Sequence, residues 1–124
     1  MSQNKNEKSF RGIILYDIQL DGNLTGVYTN NHDESRGQLR TEYAHIIGSI
    51  LPNYRADGEY VFDCSYFDHV ANRTNARLKF KIRNRIIYAE WYINDGNDIT
   101  FNGEGFQMNE RQLAISYWSV DSNQ

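Results

Sequence analysis

A few histidines and carboxylates in this chain have the chemistry of an acid–base site. His45 and His69 can change charge near neutral pH, and such a histidine transfers protons when a carboxylate lies beside it. Asp63 and Glu104 are the carboxylates that could serve. Because Asp63 is predicted to face outward and His69 to lie in a loop, ordinary surface roles explain these residues better. A small barrel enzyme that uses one of the histidines is kept as an alternative function.

The chain contains a single cysteine, Cys64, on a predicted strand face that also carries Tyr60, Phe62 and Tyr66. This pattern indicates a small buried apolar residue, since a nucleophilic thiol needs an accessible, electropositive setting. One cysteine cannot form an internal disulfide, and the first residues lack the apolar core of a signal peptide. No run is apolar enough for a membrane helix. We therefore expect a cytoplasmic protein.

Two segments contain potential metal ligands. His32-Asp33-Glu34 places three ligand types at consecutive positions, which seldom converge on one ion. Residues 95–103 resemble one copy of a calcium-binding repeat, but that architecture needs stacked copies. A solvated loop and a hairpin turn explain these segments more simply. The sequence predicts neither a metal nor a cofactor.

Basic side chains are concentrated in residues 77–83. Alternate positions of this segment form a basic stripe, which consists of Arg77, Lys79, Lys81 and Arg83. Such a face could bind a partner chain or follow a phosphate backbone. The formal net charge of −3 and the pI near 5.5 disfavour nucleic acid. We expect a solvated outer strand and keep a protein-interaction module as the second alternative.

The remaining chemical signal is aromatic, because the chain has nine Tyr, six Phe and two Trp. Six of these side chains are predicted to point inward and line a ligand site: Tyr16, Tyr28, Tyr66, Trp91, Phe101 and Trp118. Gly103 and Gly105 are predicted to face the same interior, where they leave room for a ligand or for neighbouring rings. The leading prediction is a non-enzymatic protein that binds a small, partly apolar molecule.

Alternation of apolar and polar residues predicts the strands that hold these side chains. The clearest hairpin covers residues 76–94, in which apolar and basic residues alternate. A two-residue turn at Asn84-Arg85 makes its inward pairs apolar: Ile82 with Ile87, Phe80 with Ala89, Leu78 with Trp91 and Ala76 with Ile93. The same register sets Lys79 against Glu90 on the outer face, which is a favourable cross-strand pair.

Two further segments are read in the same way. Asp21-Gly22-Asn23 is predicted to form the loop of a first hairpin, with these facing pairs: Leu20 with Leu24, Ile18 with Gly26, and Tyr16 with Tyr28. Residues 38–51 are the least regular part of the chain. We predict a strand there with a bend near Gly48, because alternate positions share a pattern: Leu39, Thr41, Tyr43 and His45.

These strands predict the fold class. A length of 124 residues allows one domain, and 40% hydrophobic residues indicate a folded chain. No segment from Tyr60 onward has a helical period, so successive strands pair as hairpins. We predict an all-β, antiparallel up-and-down meander of eight or nine strands that closes into a small barrel, with a β-sandwich as the alternative. Residues 1–9 are predicted to be a disordered lead-in, 10–120 the barrel domain and 121–124 a polar tail.

Two runs resemble strands of avidins. Asp-Gly-Asn-Leu-Thr-Gly-Val-Tyr at 21–28 resembles their second strand, and Ala-Glu-Trp-Tyr-Ile-Asn-Asp-Gly at 89–96 is similar to a strand that carries a biotin-stacking tryptophan. The resemblance implies a barrel of the avidin-like and lipocalin-like group, whose members enclose small molecules and often assemble through outer strands. It implies a ligand contact for Trp91 and a possible homodimer. It does not imply biotin, because Thr29, Asn30 and Asn31 replace the small hydroxyl-bearing residues that grip that ligand.

Overall fold

The computed structural model describes residues 10–32, 37–48, 50–67, 72–93 and 98–120. The predicted lead-in 1–9 and polar tail 121–124 lie outside these ranges. The described residues form eight strands: β1 Arg11–Ile18, β2 Leu24–Asn30, β3 Arg40–Ile46, β4 Gly58–Phe67, β5 Arg73–Arg83, β6 Ile86–Ile93, β7 Asp98–Asn109 and β8 Gln112–Ser119.

The eight strands form one closed barrel. Each strand is antiparallel to the next along the chain, and β1 also pairs with β8, so the sheet has no unpaired edge strand. This confirms the predicted all-β up-and-down barrel and excludes the sandwich. Within the described ranges, no helix is long and apolar enough to cross a membrane.

The β5–β6 hairpin has the predicted register. Ile82 lies opposite Ile87, and Lys79 lies opposite Glu90. Asn84 and Arg85 have φ angles of 53° and 68°, which is the left-handed backbone that a two-residue turn between twisted strands requires. The alternation of apolar and basic residues therefore predicted both the strands and their pairing. The expected pairing of Ala76 with Ile93 lies beyond the paired residues, which end at Arg77 and Tyr92.

The register predicted for the β1–β2 hairpin is wrong by two residues. Tyr16 lies opposite Gly26, and Ile18 lies opposite Leu24. Five residues, 19–23, separate the two strands instead of three, and the backbone amide of Gln19 donates to the carbonyl of Asn23 at 2.8 Å across the base of this loop. Leu20 is consequently fully exposed in the loop. A shift of two positions keeps the same side chains on the inner face but changes which of them are neighbours.

Strand β3 begins and ends within the predicted segment and shows an unexpected orientation. The alternating residues on which this strand was predicted, from Leu39 to His45, face outward, and the side chains of Leu39 and Tyr43 are 74% and 44% exposed. Glu42 and Ala44 are buried on the inner face instead. An acid therefore points into the barrel on this strand.

Strand β7 approaches β6 and β8 closely. Phe101 lies opposite Trp91 as predicted, but a bulge follows, so Ile99 lies opposite Tyr92 rather than Ile93. A side chain at Gly105 would place Cβ 1.9 Å from the carbonyl oxygen of Ala114. At Gly103, Cβ would lie 2.9 Å from Ile115 and 3.2 Å from Trp91. These glycines thus allow close strand approach and do not open a cavity, because the side chains of Ile115 and Trp91 fill the space at Gly103 and the β8 backbone fills it at Gly105.

The two ends of the barrel differ. At one end, residues 51–55 cross the opening, since they lie against Gly22 in the β1–β2 loop and against Glu110 at the β7–β8 turn. Tyr54 is buried there, with its ring centroid 6.0 Å from that of Phe80. Aliphatic side chains fill the barrel beneath this segment, including Leu24, Ile82, Ile87 and Leu113. The opposite end contains a cavity.

Candidate functional site

The cavity has a volume of about 310 Å³ and lies where β2, β6 and β8 end and where β1, β5 and β7 begin. It is lined by six aromatic side chains: Phe10, Tyr28, Tyr66, Trp91, Phe101 and Tyr117. Polar and aliphatic side chains complete the lining: Ile14, Asn30, His32, Glu42, Thr74, Thr100 and Ser119. The volume lies at the lower end of the range of about 300 to 1,000 Å³ for small-molecule sites.

Four of the six predicted lining residues contribute to this cavity: Tyr28, Tyr66, Trp91 and Phe101. Tyr16 is fully buried and does not line the cavity, although its hydroxyl bonds a residue that does. Trp118 lies outside the lining. Alternation along β8 places Tyr117 on the inner face, and Trp118 on the outer face opposite Arg11 and Asn102. The prediction named the wrong member of this aromatic pair.

Glu42 is held at the cavity by a row of residues across three strands. Tyr16 on β1 lies opposite Gly26 on β2, which in turn lies opposite Glu42 on β3. A side chain at Gly26 would place Cβ 2.9 Å from the ring of Tyr16. Glycine therefore lets the phenol extend across β2, and its hydroxyl donates a hydrogen bond to Oε2 of Glu42.

The carboxylate of Glu42 is 6% exposed and receives a second hydrogen bond, from Nε1 of Trp91 to Oε2 at 3.2 Å. Burial raises the pKa of Glu42 from 4.5 to about 7, although hydrogen bonds from Tyr16, Trp91 and the Cys64 thiol favour the charged form. The Tyr16 hydroxyl and Nε1 of Trp91 thus donate to the same carboxylate oxygen, Oε2. Neither of these two donors bonds the other oxygen, Oε1.

A second row of the same kind lies at the mouth of the cavity. Tyr117 on β8 is opposite Gly12 on β1, which is opposite Asn30 on β2. A Cβ at Gly12 would lie 2.2 Å from the Tyr117 ring, so only glycine lets this ring lie across β1. The amide of Asn30 donates to the Tyr117 hydroxyl at 3.1 Å. The row fixes both side chains in the cavity wall.

Two hydroxyl groups in the cavity wall have no hydrogen-bond partner in the described part of the chain. They belong to Tyr28, which is 7% exposed, and to Thr100. Thr100 is the extra residue of the bulge on β7, which directs it into the lining between Ile99 and Phe101. Buried hydroxyls are normally paired, so these two groups can bond a ligand or water in the cavity.

The described residues considered for acid–base chemistry lie on the outer wall of the barrel and not in the cavity. His45 and Asp63 face each other across β3 and β4, but both are exposed on the outer wall. Asp63 accepts a hydrogen bond from Nε of Arg77 at 3.2 Å. Glu104 is exposed on β7, and His69 lies outside the described residues. Cys64 is buried, and burial raises the pKa of its thiol far above the usual range, which agrees with an inert residue.

The basic stripe lies on the outer wall beside acids of β4. Arg77 pairs with Asp63 at 3.2 Å, and Lys79 and Arg83 each approach Glu59 at 3.7 Å. Lys81 is exposed. These pairs account for three of the four cations as a solvated strand face, which was the expected role. Binding of a partner through this stripe stays a prediction, as does a homodimer.

Glu42 is a buried cavity residue that sequence reasoning missed. The described residues contain no group of three or more His, Cys, Asp or Glu side chains that could hold a metal ion. A correct β1–β2 register would have placed Gly26 beside Tyr16, and pairing of β2 with β3 would then have directed attention to Glu42. Loop length, which sets that register, could not be determined from residue types alone.

Comparison of this chain with family profiles, with curated proteins and with solved structures gave no match. The fold and the site are therefore interpreted from their own geometry.

Proposed function

We propose that this protein binds one small, partly apolar molecule in the open end of its barrel, without catalysing a reaction. The observation that carries the proposal is the cavity of about 310 Å³ with six aromatic side chains in its wall and a few polar groups among them. Concave, mostly apolar sites with a small number of placed polar groups are what small ligands require. The unpaired hydroxyls of Tyr28 and Thr100 would complete their hydrogen bonds with such a molecule.

The closed, eight-stranded meander is compatible with the avidin-like and lipocalin-like barrels that two segments resemble. Membership of that group is part of this proposal, since the barrels of that group enclose small molecules. The proposal does not extend to biotin.

The first test is native mass spectrometry of protein purified from the cells that produce it. We expect one extra small mass per chain that is lost on denaturation. Trp91→Phe, which removes a cavity wall group and its hydrogen bond to Glu42, should lower the occupied fraction. Trp118→Phe is the matched control on the outer wall and should leave it unchanged. A bare wild-type chain, or equal effects of the two substitutions, would contradict the proposal.

A second candidate function is proton transfer by Glu42, and its pKa of about 7 in an aromatic cavity favours it. The test is to incubate the co-purified molecule with the protein in deuterated water and to follow carbon-bound deuterium by NMR. Exchange that wild-type protein accelerates and Glu42→Gln does not would support an enzyme. An unchanged molecule would support binding alone.

A further inference from the structure

We infer that the cavity selects a protonated amine carried on an apolar or aromatic body, and that Glu42 is its counter-ion. This inference rests on the proposed binding function and names the chemical class of the ligand. It is carried by the position of a single buried carboxylate within an aromatic wall.

The charges around the cavity favour a cation. Among the described residues, the lining contains one carboxylate, Glu42, and no lysine or arginine. Arg40 lies opposite Tyr28 in the sheet but does not belong to the lining. The chain as a whole has a formal net charge of −3, which attracts cations to its surface. Glu42 would repel an anionic ligand within the lining, and the one described cation that acts on a lining hydroxyl is Arg40, which acts on Tyr28 from outside the lining.

The hydrogen bonds of Glu42 leave a place for a donor. Tyr16 and Trp91 both donate to Oε2, and neither donates to Oε1. An ammonium group has three donors and no acceptor, so it can bond Oε1 without competing with the two protein donors. A neutral glutamine would accept the same two bonds without the cost of a buried charge. A cation opposite the carboxylate offsets that cost.

The aromatic wall fits the rest of such a ligand. Neighbouring rings are nearly perpendicular, since the planes of Trp91 and Phe101 meet at 90° and those of Phe101 and Tyr117 at 89°. A wall of this kind presents ring faces as well as edges, and ring faces attract cations within about 6 Å. Tyr28 and Tyr66 also meet at 89°. The apolar body of the ligand would pack on these rings with its ammonium group directed toward Glu42.

The test uses three probes of one shape that differ in charge: 2-phenylethylamine, 2-phenylethanol and phenylacetate. Binding to the full-length protein is measured by calorimetry at pH 8. We expect the amine to bind at least tenfold more tightly than the alcohol, and phenylacetate to bind most weakly. Glu42→Gln should remove the preference for the amine and change the affinity for the alcohol less than twofold.

Glu104→Gln is the matched control, because it removes the same charge from an exposed position on the outer wall. It should leave all three affinities unchanged. Equal affinities for amine and alcohol, or a preference that survives Glu42→Gln, would overturn the inference while the proposed binding function stands. Absence of binding by all three probes at millimolar concentration would also overturn it, and the co-purified mass would then decide the proposed function separately.

A pH series provides a second measurement if Glu42→Gln does not fold. The charge of Glu42 raises the pKa of titratable groups on four strands: Tyr16, Tyr28, Cys64 and Tyr117. Burial raises the pKa of each of them, so they stay neutral near pH 7. His32 also lines the cavity and is replaced by asparagine in this series. Affinity for 2-phenylethylamine should fall about tenfold from pH 8 to pH 6 as Glu42 is protonated. A constant affinity would contradict the role of Glu42.

Discussion

Replacing Glu42 by glutamine should stabilise the empty protein at neutral and alkaline pH. Burial raises the pKa of this carboxyl from 4.5 to about 7, so the folded protein disfavours the charged form. At 1.36 kcal/mol per pH unit, this shift corresponds to roughly 3 kcal/mol of stability that is present below pH 4.5 and is lost as the pH rises to 7. Glutamine resembles the protonated acid in shape and never ionises. The variant therefore keeps this contribution at every pH.

The assay is urea denaturation of both proteins at several pH values between 4 and 8. We expect similar free energies of unfolding near pH 4 and a gap that grows to about 3 kcal/mol at pH 8, with a melting temperature higher by roughly 10 °C. Other groups titrate equally in both proteins, so the difference isolates Glu42. Glu104→Gln, on the outer wall, should show no such gap. A variant that is less stable at pH 8, or a gap that does not change with pH, would refute the reasoning.

Three further substitutions test the geometry of the cavity and of the barrel that forms it. Tyr28→Phe should weaken binding of a ligand that bonds the Tyr28 hydroxyl, whereas Tyr54→Phe, which removes an equally unpaired hydroxyl at the closed end, should leave calorimetric affinity unchanged. Gly105→Ala should destabilise the barrel by roughly 1 to 3 kcal/mol in urea denaturation, because Cβ would collide with β8. Gly58→Ala is its control, since the nearest atom to that Cβ is 3.6 Å away, and an equal loss would contradict the collision. Arg85→Gly should raise the free energy of unfolding by about 0.5 to 1 kcal/mol, and with it the melting temperature, because Arg85 has a φ of 68°. A lower melting temperature would refute this.

The sequence predicted the fold well where two independent patterns agreed. In the β5–β6 hairpin, apolar alternation set the inner face, and the pairing of Lys79 with Glu90 chose the same register. A short turn left no freedom to slide the strands. The barrel itself followed because consecutive hairpins without helices must curl to protect their edges. Local periodicity is sufficient to predict the strands and the register of hairpins with short turns.

The site was predicted less well because it depends on contacts between strands that are distant in sequence. Tyr16 and Glu42 come together only if the β1–β2 loop has five residues. The residue types of a polar loop do not determine how many residues it contains. In the segment 38–51, the apolar Leu39 and Tyr43 outweighed Glu42 in the pattern, although Glu42 is buried in the barrel interior and both apolar side chains are exposed. A buried carboxylate violates the hydrophobic pattern by its nature, so pattern-based reasoning assigns it to the surface.

The segment at 21–28, which resembles an avidin strand, connects the fold, which was predicted well, with the site, which was predicted less well. Its glycine, Gly26, is required here because the ring of Tyr16 lies across it to reach Glu42. Gly12 allows the same arrangement for Tyr117 and Asn30. The glycine of this motif therefore leaves room for an aromatic side chain to lie across a strand inside a narrow barrel. A requirement of this kind is local and steric. The chemistry of the site then depends on the group that the aromatic side chain contacts, and for Tyr16 this group is the carboxylate of Glu42.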